Sequence, residues 1–169
     1  MKNRWIALYV ENQVGVLAKV SGLFSAKSYN LQTLTVGTTE REDVSRMTIS
    51  VMADDATFEQ IKKQLNTMVE VIKVMDLTDV PIHMKEILFA KIKRITATEK
   101  EEVFRIVSVF SANGHCKVID IGQDSCMIES ALTERRNNEL CALLRAAFKH
   151  IDIVRGGAVA MEAISTSCR

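Results

Sequence analysis

The chain lacks the features that mark membrane and secreted proteins. None of its 169 residues belongs to an apolar run near the roughly 18 residues that a membrane span requires. The apolar stretch 5–10 ends at Glu11 and Asn12, which makes it too short for a signal peptide. The four cysteines all lie in the second half and form no Cys-x-x-Cys pair. We therefore expect no disulfide framework and a reducing, cytoplasmic location.

An excess of positive charge is also missing, and aromatic residues are few. Lysine and arginine number 22 against 21 acidic residues, which gives a net charge of +1, and aromatic residues make up 5% of the chain. Nucleic-acid binding needs clustered cations, and RNA binding on a sheet also needs exposed aromatic rings. The composition argues against both. With 47% hydrophobic and 25% charged residues, one proline and seven glycines, it is instead typical of a folded globular protein.

Recognisable catalytic and metal-binding motifs are absent from the sequence. It contains neither Gly-x-Ser-x-Gly nor Gly-x-Gly-x-x-Gly, and its three histidines do not have metal-ligand spacing. Asp54 and Asp55 are adjacent, and neighbouring positions on a helix do not face each other. This pair is predicted to open a helix rather than to act as a carboxylate dyad. We expect no catalytic residue, no metal site and no enzymatic activity of the chain itself.

The hydrophobic pattern of the first half alternates between the periods of strands and helices. A stripe of Val16, Leu17, Val20, Leu23 and Phe24 predicts a helix, and alternation around Met47, Ile49 and Val51 predicts a strand. The order strand–helix–strand–strand–helix–strand is the ferredoxin-like arrangement. The predicted segments are strands at 4–10, 31–36, 47–51 and 69–77, with helices starting at Val16 and at Asp54.

The same order repeats after residues 78–85, which contain the single proline. A capping box is predicted at Thr98–Glu101. We therefore predict an α+β protein of two tandem ferredoxin-like βαββαβ domains, at 1–77 and 86–160, with a linker at 78–85 and a polar tail at 161–169. The predicted segments of the repeat are a strand at 87–95, a helix, a hairpin of 117–121 and 127–132, a helix around Leu140 and Leu144, and a strand at 151–155.

The most informative segment is the loop 11–17, in which Gly15 stands where the chain turns into a helix. Free N–H groups at a helix start can hold a small carboxylate, and a glycine lets the ligand approach without a clash. The amide of Asn12 could accept from an ammonium group or donate to a carboxylate. Alternatively, Gly15 is a loop glycine that needs a positive φ, and Asn12 only stabilises its own turn.

Asn30 allows two interpretations of the same kind. Asparagine often takes the left-handed conformation after a helix, so Asn30 could be a C-cap. It could also be a second polar group that reaches the pocket from a neighbouring subunit.

The residues from Val10 onwards carry a family resemblance. The run VENQVGVLAKVSGLFSAKSYNLQTLTV, followed by SRMTISV, resembles the opening of the small regulatory subunit of acetohydroxyacid synthase (acetolactate synthase), which reads ENxxGVLxRVxxLFxxRGYNIxSLxV and then SRMTI. KEILFAKIK, VIDI, MIES and IVRGGAVAM are similar to its second-domain signatures. Lys19 replaces the usual Arg, Ser28 replaces the usual Gly, and ALTERRNNEL lacks the glycine expected after the third strand.

The resemblance implies an ACT domain at 1–77 and a subunit without catalysis of its own. Such subunits raise the activity of a thiamine-diphosphate-dependent catalytic subunit and make it sensitive to valine or a related amino acid. The implied ligand-binding positions are Asn12, Gly15, Val16 and Leu17 in the loop and helix, with Asn30 and Leu31 across a dimer interface.

The resemblance also implies the partners. They are a second copy of the chain, paired side by side through the ACT domain, the large catalytic subunit, and a branched-chain amino acid. No cofactor is expected in this chain, whereas thiamine diphosphate, magnesium and FAD are expected in the catalytic partner. The alternative is a freestanding ACT-domain sensor for another metabolic enzyme, which would share the site but not the partner.

Overall fold

The computed structural model describes residues 1–111 and 114–164. They form two βαββαβ units, each with a four-stranded antiparallel sheet, which confirms the predicted α+β fold class. Of the described residues, 1–83 and 159–164 form one unit, and 84–111 and 114–158 form the other.

The first unit has the strand order β2-β3-β1-β4, so β2 and β4 are its edge strands. In β1, Ile6, Leu8 and Val10 alternate with residues of the other face and are fully buried under the two helices. The elements are β1 (Lys2–Glu11), α1 (Val16–Ala26), β2 (Leu31–Thr38), β3 (Val44–Ala53), α2 (Asp55–Asn66) and β4 (Val71–Asp76).

Both helices of this unit begin where the sequence predicts. In α1 the buried face consists of Val16, Val20 and Phe24, whereas Leu17, predicted in the same stripe, is exposed. Adjacent helical residues point about 100° apart, so a narrow buried stripe cannot include both Val16 and Leu17. Asp54 caps α2 by accepting from the N–H of Thr57 at 2.7 Å, as predicted.

The second unit has the strand order β6-β7-β5-β8. Strand β5 already begins at Ile82, inside the segment 78–85, and β8 continues to Glu162, so residues 82–83 and 159–162 of these two strands are grouped with the first unit. Residues 165–169 of the predicted tail lie outside the described residues. The elements are β5 (Ile82–Lys93), α3 (Ala97–Phe110), β6 (Cys116–Ile121), β7 (Ser125–Leu132), α4 (Glu134–Ala147) and β8 (Ile151–Glu162).

The predicted capping box at Thr98–Glu101 is wrong by two residues. The observed box consists of Thr96 and Glu99, in which each side chain bonds the other residue's backbone N–H. Both pairs have the required spacing. Ile95, two residues after the end of β5, is already buried. The helix therefore begins at Ala97, and Thr96 is its N-cap.

A buried polar network connects β5, β7, β8 and α4 within the second unit. The Glu86 carboxylate accepts from Arg155 through Nε at 2.9 Å and through a terminal nitrogen at 2.6 Å. Asn137 donates to the same carboxylate at 3.1 Å and accepts from Ser130 at 2.7 Å. A carboxylate inside a core needs such partners, so the network fixes the geometry of this unit.

Three of the four cysteines lie in the described part of the second unit. Cys116, Cys126 and Cys141 are free and buried. Burial raises the pKa of all three thiols, which keeps them protonated and unreactive. Cys168 lies outside the described residues. No helix in the described part of the chain is long and apolar enough to cross a membrane.

Candidate functional site

Asn12 ties the loop after β1 to the turn between β2 and β3. Its backbone N–H donates to the carbonyl of Asp43 at 2.8 Å, and its side-chain NH2 donates to the carbonyl of Glu42 at 2.9 Å. The side-chain oxygen accepts from the hydroxyl of Ser45 at 3.0 Å. The amide of Asn12 is therefore held in one orientation by residues about thirty positions further along the chain.

These contacts leave only part of the Asn12 amide free to bind a ligand. An NH2 group carries two hydrogens, and the contact with Glu42 uses one of them. The side-chain oxygen already has Ser45 as its donor. The amide thus keeps one N–H and one lone pair of its oxygen for a ligand, so it can donate to a carboxylate and can still accept from an ammonium group.

Gly15 adopts the left-handed conformation with φ 90°, directly before α1. The alternative interpretation, in which the loop needs a glycine here for its positive φ, is therefore confirmed for the backbone conformation. The same position also leaves the helix start open, because α1 has no side-chain cap and no acidic residue in its first turn. The other three helices are capped by side chains, those of Asp54, Thr96 and Thr133.

Val16 and Leu17, the two predicted site residues that follow Gly15, differ in burial. Val16 is 3% exposed, and its N–H donates to the carbonyl of Gln13 at 3.3 Å. This N–H therefore already has a partner within the chain. Leu17 is 42% exposed. The N–H groups of Leu17 and Ala18 lie in the first turn, where a helix supplies no carbonyl partner.

Three further residues lie at this candidate site and were not predicted from the sequence. Ala18 contributes only a backbone N–H, and its signal was the helix start at Val16, which makes it the third helical residue. Glu42 and Ser45 orient Asn12 from the other end of a hairpin, and no local pattern marks them.

The interpretation of Asn30 as a left-handed C-cap is wrong. Ser28 is the residue with positive φ after α1, at 56°. The N–H of Tyr29 bonds the carbonyl of Phe24 at 2.9 Å, and that of Ser28 bonds Ser25 at 3.1 Å, which together form a Schellman motif. Asn30 follows this motif as an exposed residue at the start of edge strand β2.

Leu31 is half-buried and packs partly against the core of its own unit. It pairs with Val51 of β3, whereas Glu11, the neighbour of Asn12, pairs with Val44 at the other end of β3. Seven residues of strand separate these two positions, a distance of about 23 Å. Within one chain the structure therefore does not bring Asn30 and Leu31 together with Asn12 and Gly15.

Lys19 lies on α1 behind the loop and forms an ion pair with Glu70. The hydrogen bond from the Lys19 ammonium holds the pKa of the Glu70 carboxyl below its ordinary value. The backbone carbonyl of Glu70 also accepts from the N–H of Glu11 at 2.9 Å. The start of α1 is thus joined to the loop before β4 as well as to the β2–β3 turn.

Comparison with protein families matches both halves of the chain. Residues 6–73 match the family described as "AHAS small subunit-like ACT domain", and residues 85–164 match the family described as "Small subunit of acetolactate synthase".

Individual relatives agree with these matches. The chain is 38% identical to the acetolactate synthase small subunit of Aquifex aeolicus over 156 residues, covering 92% of this chain and 79% of the relative. It is also 38% identical to a probable acetolactate synthase small subunit of Archaeoglobus fulgidus, with 92% and 94% covered. The crystal structure of the small subunit from Thermotoga maritima superposes with a TM-score of 0.84 at 31% identity, covering 96% and 98%.

Proposed function

The chain belongs to the family of acetolactate synthase small subunits, which are non-catalytic regulatory subunits, and we propose that it activates the large catalytic subunit and makes it sensitive to a branched-chain amino acid. The observation that carries the proposal is the uncapped, acid-free start of α1 beside the oriented amide of Asn12. Such a start carries partial positive charge and unpaired N–H donors, which suit a free carboxylate.

In this proposal the effector binds by its carboxylate. The N–H groups at Leu17 and Ala18 and the outward N–H of Asn12 donate to it, and Gly15 leaves room for the approach. The exposed side chain of Leu17 contacts the aliphatic group of the effector. Valine has one methylene fewer than leucine or isoleucine, and one methylene in an apolar pocket changes the binding free energy by about 1–3 kcal/mol.

A second copy of the chain completes the site. Strand β2 is an edge strand, and its C-terminal end at Thr38 pairs with Ser45, next to Asn12. If two β2 edges pair antiparallel about a twofold axis, the start of the partner's strand lies beside this end. The antiparallel pairing would therefore bring Asn30 and Leu31 of one copy towards Asn12 and Gly15 of the other.

A site shared between two chains explains how a small ligand acts at a distance. A ligand that contacts both copies favours the packing in which both sets of contacts are made. The resulting coupling to the catalytic subunit is typically about 1–3 kcal/mol. In the proposal, that subunit holds thiamine diphosphate, magnesium and FAD, and the complex works in the cytoplasm.

The second unit bears on which of two proteins is the partner, the acetolactate synthase catalytic subunit or another metabolic enzyme. A freestanding amino-acid sensor would need only the first unit, whereas residues 85–164 match the family described as the small subunit of acetolactate synthase. This match favours the acetolactate synthase catalytic subunit as the partner.

Co-purification with the large catalytic subunit tests the function directly. We expect the two chains to form a complex whose acetolactate synthase activity exceeds that of the catalytic subunit alone and falls when valine is added. A complex without activation, or activation without any response to valine, leucine or isoleucine, would contradict the corresponding part of the proposal.

A mixed dimer tests whether the site is shared. One chain carries Asn12→Asp and the other carries Asn30→Ala, so a shared arrangement leaves one intact site and one site with both changes. We expect each variant alone to lose effector binding, and the mixed dimer to regain half the binding stoichiometry in calorimetry. No recovery of binding in the mixed dimer would contradict a site shared between Asn12 of one copy and Asn30 of the other.

A further inference from the structure

The second unit holds a cluster of cations at the end of its sheet, far in sequence from the loop that carries the effector site. Lys93 is the last residue of β5 and Arg94 follows it, whereas Lys149 and His150 lie between α4 and β8. The two loops are joined by a backbone hydrogen bond from the N–H of Lys93 to the carbonyl of His150, at 2.9 Å. This hydrogen bond holds the two loops together, so the four side chains lie close to one another.

The four side chains line a concave surface rather than a flat one. They surround a cavity of about 300 Å³ together with Ile151 and Asp152. A second cavity of about 230 Å³ shares the same four residues and extends towards Ile95 and Phe148. The first volume is at the lower end of the roughly 300–1,000 Å³ found for small-molecule sites.

Two carboxylates lie among these cations. Asp152 forms an ion pair with Lys93, and Glu99, which accepts from the backbone and hydroxyl of Thr96, lines the second cavity and attracts Lys149. Neither Arg94 nor Lys149 forms an ion pair within residues 1–111 and 114–164. With Lys93, Arg94 and Lys149 set against Asp152 and Glu99, the two cavities carry one positive charge in excess, not counting His150.

The backbone makes a tight turn at Arg94. Arg94 has φ 56°, a left-handed conformation that costs an arginine of order 1 kcal/mol. After this turn the N–H of Ile95 bonds the carbonyl of Asp124 at 3.0 Å, which ties the loop to the β6–β7 hairpin. The same turn places Arg94 in the lining of both cavities.

We propose that this cluster, Lys93, Arg94, Lys149 and His150, binds the phosphate or diphosphate group of a small metabolite. A guanidinium group offers paired donors to a phosphate, and ammonium groups supply point charge. The site is separate from the effector site, and either assignment can fail without the other.

Calorimetry of the full chain with inorganic pyrophosphate, at constant ionic strength, tests this proposal. We expect one saturable site per chain. Arg94→Asn combined with Lys149→Gln should weaken the affinity at least tenfold, because two of the cations are removed. Asparagine tolerates the left-handed conformation, so this variant keeps the loop. Lys149→Gln alone should still weaken binding at least threefold if the double variant does not fold.

Two controls separate a built site from general charge attraction. The variant Lys27→Gln with Lys63→Gln removes the same charge from exposed positions of the first unit and should leave the affinity unchanged. Citrate, a carboxylate polyanion, should bind less tightly than pyrophosphate. Absence of saturable heat, equal weakening in the control variant, or equal affinity for citrate would each overturn the proposal.

Discussion

The hydroxyl of Ser45 donates to the side-chain oxygen of Asn12 across 3.0 Å, and this contact distinguishes the oxygen of the amide from its NH2 group, which bonds the carbonyl of Glu42. Ser45 is buried, and its place in β3 is fixed by pairing with Val10 of β1. The orientation of Asn12 therefore follows from the register of the sheet. A residue that looks like a loop asparagine in sequence becomes a directed donor once the sheet has formed.

Replacing Asn12 with aspartate should remove effector binding. The new carboxylate cannot donate to the carbonyl of Glu42, and it places negative charge where the ligand's carboxylate is proposed to bind. We expect affinity for valine to fall at least tenfold and stability to fall by about 1–2 kcal/mol, the usual cost of a lost hydrogen bond plus repulsion. Calorimetry and urea denaturation measure the two effects.

The matched control is Asn66→Asp. The side chain of Asn66 also donates to a backbone carbonyl, that of Lys62 at 3.0 Å, but on the exposed side of α2. Its replacement should leave affinity for the effector unchanged. A similar loss of affinity in both variants would show that the effect of Asn12→Asp is one of general charge.

Gly15 offers a pair of variants that separate conformation from charge. An added Cβ at Gly15 meets no atom within 4 Å, so the cost comes from the φ of 90° rather than from a clash. Aspartate and asparagine both tolerate left-handed backbone and differ mainly in charge. We expect Gly15→Asp to abolish feedback while activation of the catalytic subunit survives, and Gly15→Asn, which adds bulk without charge, to weaken feedback less than Gly15→Asp. Assays of complex activity with and without valine distinguish them, and equal feedback in both variants would contradict the carboxylate site.

Much of the fold could be predicted because the hydrophobic pattern of the sequence matches the residues that the structure buries. The alternation through Met47, Ile49 and Val51 marks β3, and the helical spacing of Val103, Ile106 and Phe110 marks the buried face of α3. Strand ends were predicted less well. Strand β3 extends to Val44 because it continues to pair with β1 there, and the sequence shows no such partner.

The errors and omissions at the site have a common physical cause. Asn30 has the propensity of a left-handed cap, but hydrogen bonds at Ser28 and Tyr29 close the helix two residues earlier. Asn12 and Gly15 could be singled out because a glycine before a helix has a local meaning. The contacts of Asn12 with Glu42 and Ser45 join residues about thirty positions apart, and single-residue preferences carry no information about them.

The pair of Glu86 and Arg155 should be a main determinant of stability in the second unit. Glu86 is 2% exposed, and Glu86→Gln would leave the Arg155 fork and Asn137 facing an amide instead of a carboxylate. Breaking a buried pair costs about 3–5 kcal/mol, and because the Arg155 side chain is 33% exposed we expect about 2–4 kcal/mol.

Urea denaturation followed by circular dichroism measures this loss. The control is Glu129→Gln, whose ion pair with Lys117 spans 3.4 Å between more exposed side chains and should contribute less than about 1 kcal/mol. Fluorescence of Trp5, the single tryptophan, reports on the first unit separately. Equal destabilisation by the two variants would show that burial of Glu86 is not what makes its pair strong.

The capping box of α3 should make stability depend on pH in the acid range. Hydrogen bonds from the backbone N–H and hydroxyl of Thr96 lower the pKa of Glu99 from its ordinary value of 4.5. A carboxyl with a lowered pKa in the folded state binds fewer protons than in the unfolded state, so its contribution is complete above pH 4.5. That contribution is lost as the pH falls through the folded-state pKa. Glu99→Gln should therefore flatten the fall in melting temperature below pH 4.5, whereas Glu101→Gln, at an exposed position on the same helix, should leave the profile unchanged. Parallel profiles for Glu99→Gln and the unaltered chain would show that this cap does not contribute to acid sensitivity.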